Sequence, residues 1–361
     1  YEIASCLVGS EMCIRDRVPL RTVTMQSLKK RRETITMKES FLIDVLKKGV
    51  SPFHCVEAAM QTLEESGFEE LEYARPWNLK KGKAYMMNHH GTTLYAFTVG
   101  ENFRADAMLR MAAAHTDYPY LRIKPNADFV TERYAQVNVE VYGGPILNTW
   151  FDRPLGIAGR VIVRSKDVFA PETMLYRSGR PVLIIPNLAI HMNREVNKGV
   201  TINNQVDLMP VVDMLPEEQQ STDYFLSFLA EELAVKKEDI LDFELNTYCV
   251  EEPAYVGIKE TLLSSPRLDN QTSVAALLAA IVEGTRTDGI NLIALFDNEE
   301  IGNTSKQGAA SILLHDMVKR IYRSLGCSEE ETDCAMYGGM LLSVDVALSL
   351  IHISEPTRQE A

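Results

Sequence analysis

Two glutamates stand side by side at Glu299 and Glu300, directly after the apolar run Ile290–Leu295 and the intervening Phe296-Asp297-Asn298. Adjacent carboxylates repel each other and lose hydration when buried. Their position at the mouth of a core strand therefore calls for a cation or a chemical task. A solvated turn would explain an isolated Asp-Asn-Glu-Glu. The preceding run argues otherwise. It is short and almost continuously apolar, as expected of a strand buried on both faces of a parallel sheet. Ligands in such sheets bind just beyond the carboxyl ends of the strands.

Three further polar clusters are expected at strand ends: His115-Thr116-Asp117, Asp269-Asn270 and Asp345. Singly they are weak signals, since a His-Thr-Asp is often structural and an Asp-Asn is often a turn. Together, one imidazole and several carboxylates suit divalent zinc, manganese or cobalt. In His-x-Asp the carboxylate can accept the second imidazole N–H and fix the tautomer. One carboxylate has two oxygens and can bridge two ions, which together activate a water and stabilise the developing oxyanion. Another must stay off the metals to take the water's proton. Two neighbouring glutamates allow that division of labour.

The elements that must position these groups follow from punctuation and period. Ser51 and Pro52 open a helix that Gly67 closes. Short strands are expected around Lys83–His89 and Thr92–Gly100, and a buried strand around Ala107–Asp117 leads into the first cluster. From Asn126 to about Asp242 the texture is β-rich. Val137, Val139 and Val141 alternate with polar residues at the period of a half-exposed strand, and Gly156–Ser165 and Arg180–His191 continue in that style. The α/β style returns at Phe243–Val250, with helices over Asn270–Gly284 and Thr304–Gly326 and a last strand over Tyr337–Ala347. The division is thus 37–125 and 243–347 for one α/β unit, with 126–242 inserted between its halves.

Both ends are set aside from fold reasoning. Leu7–Asp16 and Leu348–Arg358 can be encoded by one DNA segment in opposite orientations, as a sequencing adaptor would be if translated at both ends of a fragment. Residues 1–36 read as adaptor-like or untranslated leader, with Met37 a candidate start, and 348–361 as an adaptor-like tail.

Composition excludes several classes. The chain is 46% apolar and 24% charged, enough to bury a core, and its net charge of −13 opposes nucleic acid or an anionic membrane as the main partner. No credible signal peptide or membrane span is visible. Cys55, Cys249, Cys327 and Cys334 show no zinc-finger spacing and read as reduced thiols, consistent with a cytoplasmic protein. Gly143-Gly144 reads as a tight turn, not a phosphate loop.

The segments "AAHTDYPYLRIKP", "NTWFDRPLGIAGRV", "IPNLAIHMNR", "SSPRLDN", "LFDNEEIGNTSKQGA" and "SVDVA", in this order, resemble the M18 metallo-aminopeptidases over about Phe41–Ala347. The resemblance implies a three-layer α/β/α zinc-peptidase domain interrupted by a β-rich dimerisation domain, with dimers building a dodecamer. It implies two zinc ions per subunit (manganese or cobalt being possible): His115, bridging Asp269 and Asp345 on one, Asp269 and Glu300 on the other. Glu299 would be the general base, Asp117 would orient His115, and His191 of the inserted domain would reach a neighbouring subunit's active site. One further histidine near the family's C-terminus would complete the second site. His352 lies in the tail and is not given that role, so the resemblance implies a C-terminally truncated enzyme. The family includes members preferring N-terminal Asp or Glu and members preferring neutral residues.

The expected activity is metal-dependent removal of N-terminal residues from peptides. The competing readings are a related dinuclear amidohydrolase of N-acyl amino acids and a non-catalytic assembly protein.

Overall fold

The computed structural model describes residues 39–216 and 223–346. The leader 1–36, Met37, the tail 348–361 and His352 lie outside them. After helical residues 39–48, helix α1 (Pro52–Glu65) begins as the sequence indicates, with the Ser51 hydroxyl accepting from the His54 N–H. Strands β1 (Glu69–Glu70), β2 (Ala84–His89), β3 (Thr93–Val99) and β4 (Arg110–His115) follow. The inserted sheet contains β5 (Tyr120–Thr131), β6 (Tyr134–Tyr142), β7 (Pro154–Val163), β8 (Glu172–Arg177), β9 (Leu183–Ile184), β10 (Val211–Met214) and β11 (Ile240–Cys249), with helix α2 (Tyr224–Leu233) before its last strand. The hairpin β12 (Ala254–Val256) and β13 (Leu262–Ser264) leads to helix α3 (Leu268–Glu283), strand β14 (Ile290–Phe296), helices α4 (Leu313–Ser324) and α5 (Glu329–Tyr337), and strand β15 (Met340–Ser343).

The first sheet has the order β1-β2-β3-β14-β4-β15. It is mixed rather than wholly parallel: β14 runs parallel to β4 but antiparallel to β3. Successive side chains of a strand face opposite ways, and here each face meets helices. Leu94, Ala96, Ile293 and Leu295 pack with Val56, Leu63, Val274 and Leu278 of α1 and α3. Tyr95, Phe97, Ala294 and Phe296 pack on the other side with Met317, Val318, Ile321 and Tyr322 of α4. This two-sided burial explains why β14 reads as an apolar run broken only at the half-buried Asn291, and it makes three layers, α/β/α.

The inserted sheet runs β11-β5-β6-β10-β9-β7-β8, and an additional β11–β7 pairing closes six of these strands on themselves. Leu121, Val137, Val139, Ile157, Val161 and Phe225 form its core. Strands β5 and β11 run through the expected boundaries at 125/126 and 242/243. Several expected elements are shorter than their sequence pattern, among them the last strand, expected over Tyr337–Ala347 but paired only at Met340–Ser343 because Tyr337 ends α5. Of Arg180–His191 only Leu183–Ile184 pairs as a strand, because prolines 181 and 186 lack the N–H a ladder needs. The helix expected over Thr304–Gly326 starts at Leu313, since the segment before it is committed to loop hydrogen bonds such as Ala310 N–H to the Asn303 carbonyl. Among the described residues, no helix is long and apolar enough to cross a membrane.

Candidate metal centre

His115 ends β4, opposite Phe296 at the end of the parallel strand β14. On its other side β4 pairs with the parallel strand β15, and the Val344 N–H still bonds the Ala113 carbonyl, so Asp345 lies one residue beyond the ladder. Parallel pairing thus brings the carboxyl ends of three strands to one edge. Asp269 enters from the start of α3, with φ −81° and ψ 114°, a turn away from helical geometry. The fully buried Asn270 donates from Nδ2 to the Val344 carbonyl at 3.1 Å, tying this corner to the strand that carries Asp345.

The imidazole of His115 has two distinct sides. Nδ1 lies 3.0 Å from the Asp117 carbonyl oxygen and 3.2 Å from Asp117 Oδ1. Nε2 lies 3.3 Å from Asp269 Oδ1 and 3.6 Å from Asp345 Oδ1. A tetrahedral ion with bonds near 2.0–2.2 Å separates its ligand atoms by about 3.3–3.6 Å. Asp269 Oδ1 is buried and makes no hydrogen bond within the protein. A buried carboxylate oxygen whose neighbour is an imidazole nitrogen at ligand-to-ligand distance fits a cation taking the place of the ring proton. His115, Asp269 and Asp345 form one group able to share an ion, and His115, Glu299 and Glu300 form another.

The Glu299-Glu300 turn is held from below. Asn298 adopts a left-handed conformation (φ 62°) ahead of the short 3₁₀ turn Glu299–Ile301. The Glu299 and Glu300 N–H groups donate to Asp117 Oδ1 and Oδ2, both at 3.2 Å. The Tyr142 hydroxyl donates to Oδ2 at 2.7 Å and accepts from Asn298 Nδ2 at 3.0 Å. Asp117 is therefore a buried hub for His115, the glutamate turn and the inserted domain. Gly143 (φ +71°) lies against Glu300; a Cβ there would stand 3.0 Å from Glu300 Cβ.

The charges interact strongly. Burial alone would lower the His115 pKa, but the Asp117 and Asp269 carboxylates outweigh it and hold the imidazole up at about 11. Glu300 is pushed up to about 7, first by burial and then by the Asp117, Asp269 and Glu299 charges, against the opposing pull of His115. Glu299 is raised as well, with burial the leading cause. Asp297, buried beneath the turn, is pushed up to about 7 by burial and then by Asp117. A divalent ion would relieve this excess of negative charge.

His191 stands apart. It is exposed in the inserted domain and belongs to neither metal-capable group among the described residues. Conversely, sequence reasoning passed over Tyr142, Asn298 and Asn270. In the sequence Asn270 and Asn298 stand out only as neighbours of acids. Tyr142 precedes the Gly-Gly turn, whose glycine at 143 was the one available signal.

Strand-end carboxylates around an imidazole, on a mixed sheet between helix layers, define a metal-dependent hydrolase of the zinc-peptidase type. The family description "aminopeptidase I zinc metalloprotease (M18)" matches residues 45–356, a span that runs into the tail set aside above. A probable M18 family aminopeptidase 2 from Clostridium acetobutylicum is 43% identical over 320 residues, covering 88% of this chain and 73% of the relative. One from Ectopseudomonas mendocina is 36% identical over 78% of this chain and 65% of the relative. Among solved structures, Ape4 in its complex with Nbr1 aligns with a TM-score of 0.84 at 29% identity, over 91% of this chain and 66% of that one. The S. cerevisiae mApe1 dodecamer aligns with a TM-score of 0.75 at 25% identity, over 91% and 75%. The chain belongs to the M18 aminopeptidase family, whose members are zinc metallo-aminopeptidases. Neither the N-acyl amidohydrolase nor the assembly reading is favoured by these likenesses.

Replacing Asp117 by Asn would turn an amide N–H₂ toward groups that are all donors. The fold should lose about 2–4 kcal/mol, as expected when a buried charged acceptor is removed from its partners. Chemical denaturation of the metal-free protein checks this; an unchanged midpoint would deny Asp117 its central place.

Proposed function

We propose that this chain hydrolyses N-terminal residues from peptides at a dinuclear centre. The supporting observation is the placement of His115 Nε2 at 3.3 Å from Asp269 Oδ1 and 3.6 Å from Asp345 Oδ1, with the Glu299-Glu300 turn beside them. His115, Asp269 and Asp345 would hold the first ion, and Asp269 and Glu300 would take part in holding the second. Zinc held there would supply a Lewis acid for the scissile carbonyl and lower the pKa of a water. Glu299 stays off the ions, accepts the water's proton and returns it to the departing amine. Its raised pKa, from burial first and the surrounding acids next, suits a carboxylate that must carry a proton for part of the cycle. Asp117 keeps Nδ1 of His115 as the donor, so that Nε2 presents its lone pair.

The proposal extends to assembly. The inserted domain exposes Leu188, Ile190 and Met192 around His191, and the likeness to the mApe1 dodecamer supports a homo-oligomer; in it, His191 would reach the active site of a neighbouring copy. A cytoplasmic setting accords with the free cysteines 55, 249, 327 and 334.

Glu299→Gln should keep its metal and lose most turnover, at least about a hundredfold, because an amide accepts no proton. Glu300→Gln should lose the second ion. Elemental analysis beside peptidase assays separates the two, and full activity in Glu299→Gln would remove it as the base.

Metal affinity should rise with pH. His115 is held at about 11 without metal, so the first ion displaces a proton throughout the neutral range. Its apparent association constant should increase about tenfold per pH unit. The second ion must displace the Glu300 proton only below about 7, so its extra pH dependence fades above that point. Chelator competition at several pH values measures both slopes; a flat profile for the first ion would take His115 out of the ligand set.

Sedimentation should show a species several times the 40.6 kDa chain, and His191→Ala should lower turnover while leaving metal content unchanged. A fully active monomer would overturn the shared-site proposal.

A further inference from the structure

We propose that Tyr142, carried by the inserted domain, is a positioning residue for the metal centre: its phenol O–H fixes the Asp117 carboxylate that aims His115 and supports the Glu299-Glu300 turn. The proposal rests on the ligand assignment made above.

A carboxylate plane is weakly set by its own chain, because the terminal torsion of Asp is broad. Only hydrogen bonds can hold it. Asp117 Oδ1 faces His115 Nδ1 and the Glu299 N–H, both at 3.2 Å. Oδ2 receives the Glu300 N–H at 3.2 Å and the Tyr142 hydroxyl at 2.7 Å, the shortest of these contacts. Without the phenol, the backbone N–H of Glu300 would be left as the donor to Oδ2, and rotation of the carboxylate would carry Oδ1 away from His115. The ring Nδ1 would keep the Asp117 carbonyl at 3.0 Å but lose the carboxylate, the second of the two acceptors that together hold its tautomer and the aim of Nε2.

The phenol is built to hold still. Tyr142 is 4% exposed. Its ring stacks on Tyr120 at 4.3 Å with 2° between the planes, and the Arg122 guanidinium lies 5.0 Å from its centroid. Asn298 Nδ2 donates to its oxygen at 3.0 Å, which directs the hydroxyl proton to Asp117. Asn298 precedes Glu299, so Tyr142 touches both the base of the glutamate turn and the carboxylate beneath it. The next residue, Gly143, packs against Glu300. Two consecutive residues of one inserted strand end thus meet the site from the same side. A tyrosine serving only the inserted domain's core would need none of these polar contacts.

Tyr142→Phe in the full chain removes one oxygen and keeps the ring. Zinc affinity, measured by competition with a chromophoric chelator, should fall roughly tenfold or more, the usual cost of losing a group that orients a ligand. The visible absorption of the cobalt-substituted protein should shift. Tyr118→Phe is the control. It removes another buried phenol, one that donates to the Val50 carbonyl instead, and should leave zinc affinity and the cobalt spectrum unchanged. Unchanged affinity and spectrum in folded Tyr142→Phe would overturn the proposal, as would an equal loss in Tyr118→Phe. Should Tyr142→Phe not fold, Asn298→Gly decides. It keeps the left-handed turn but removes the Asn298 bonds both to the phenol and to Ser305 Oγ, so Ser305→Ala, which removes only the second, is measured beside it: zinc affinity should fall in Asn298→Gly and not in Ser305→Ala, and wild-type affinity in the first or an equal fall in both would overturn the proposal. A wild-type chain without tight zinc binding would remove the ligand assignment and this inference together, whereas tight binding shared equally by wild type and Tyr142→Phe would remove the inference alone.

Discussion

A fully buried carboxylate, Asp117, is the constraint on which the site depends. An isolated charge removed from water costs several kcal/mol, and the cost is offset only by well-placed partners. Asp117 finds them in three parts of the chain: His115 on its own strand end, the backbone of Glu299 and Glu300, and the Tyr142 hydroxyl. Because each donor belongs to a different segment, satisfying one charge fixes the relative positions of all three.

The sheet places that charge where it is useful. Parallel pairing of β4 with β14 and β15 brings the carboxyl ends of these strands to one edge. The helices on both faces fill the strands' two-sided apolar surface and close off the flanks. The strand-end edge is therefore where polar groups can gather, and the chain gathers acids there. Burial and mutual repulsion raise Glu300 and Glu299, while the same carboxylates hold His115 high. Such an arrangement is poorly balanced in charge by itself and well matched to divalent cations.

The inserted domain is more than an appendage to this edge. Its closed strands have their own core, yet β5 starts three residues after Asp117 and pairs Tyr120 with Tyr142 at the end of β6. A hairpin that leaves the site at Asp117 thus returns to it at Tyr142. The left-handed backbone of Gly143 and its lack of a side chain allow the strand end to lie against Glu300. The geometry of the inserted domain and that of the glutamate turn are coupled through these contacts.

Local pattern determined much of this protein. The nearly continuous apolar run of β14, the Ser-Pro opening of α1 and the valine alternation of β6 state their structures through side-chain period and capping, which need no distant partner. The acids and His115 could be singled out because charged residues at the ends of apolar strands are costly without a purpose. Long-range pairing decided the rest. That β14 is antiparallel to β3 while parallel to β4 depends on neighbours that the run itself does not encode. The early end of strand structure after Ile184 and the late start of α4 followed from prolines and loop hydrogen bonds competing with periodicity. Beyond the glycine that follows it, Tyr142 carries no local mark of its role, because a tyrosine ending an alternating strand looks the same whether its hydroxyl meets water or Asp117. Only the folded chain brings residues 117, 142 and 298 together, and the hydrogen bonds among them exist only at that distance.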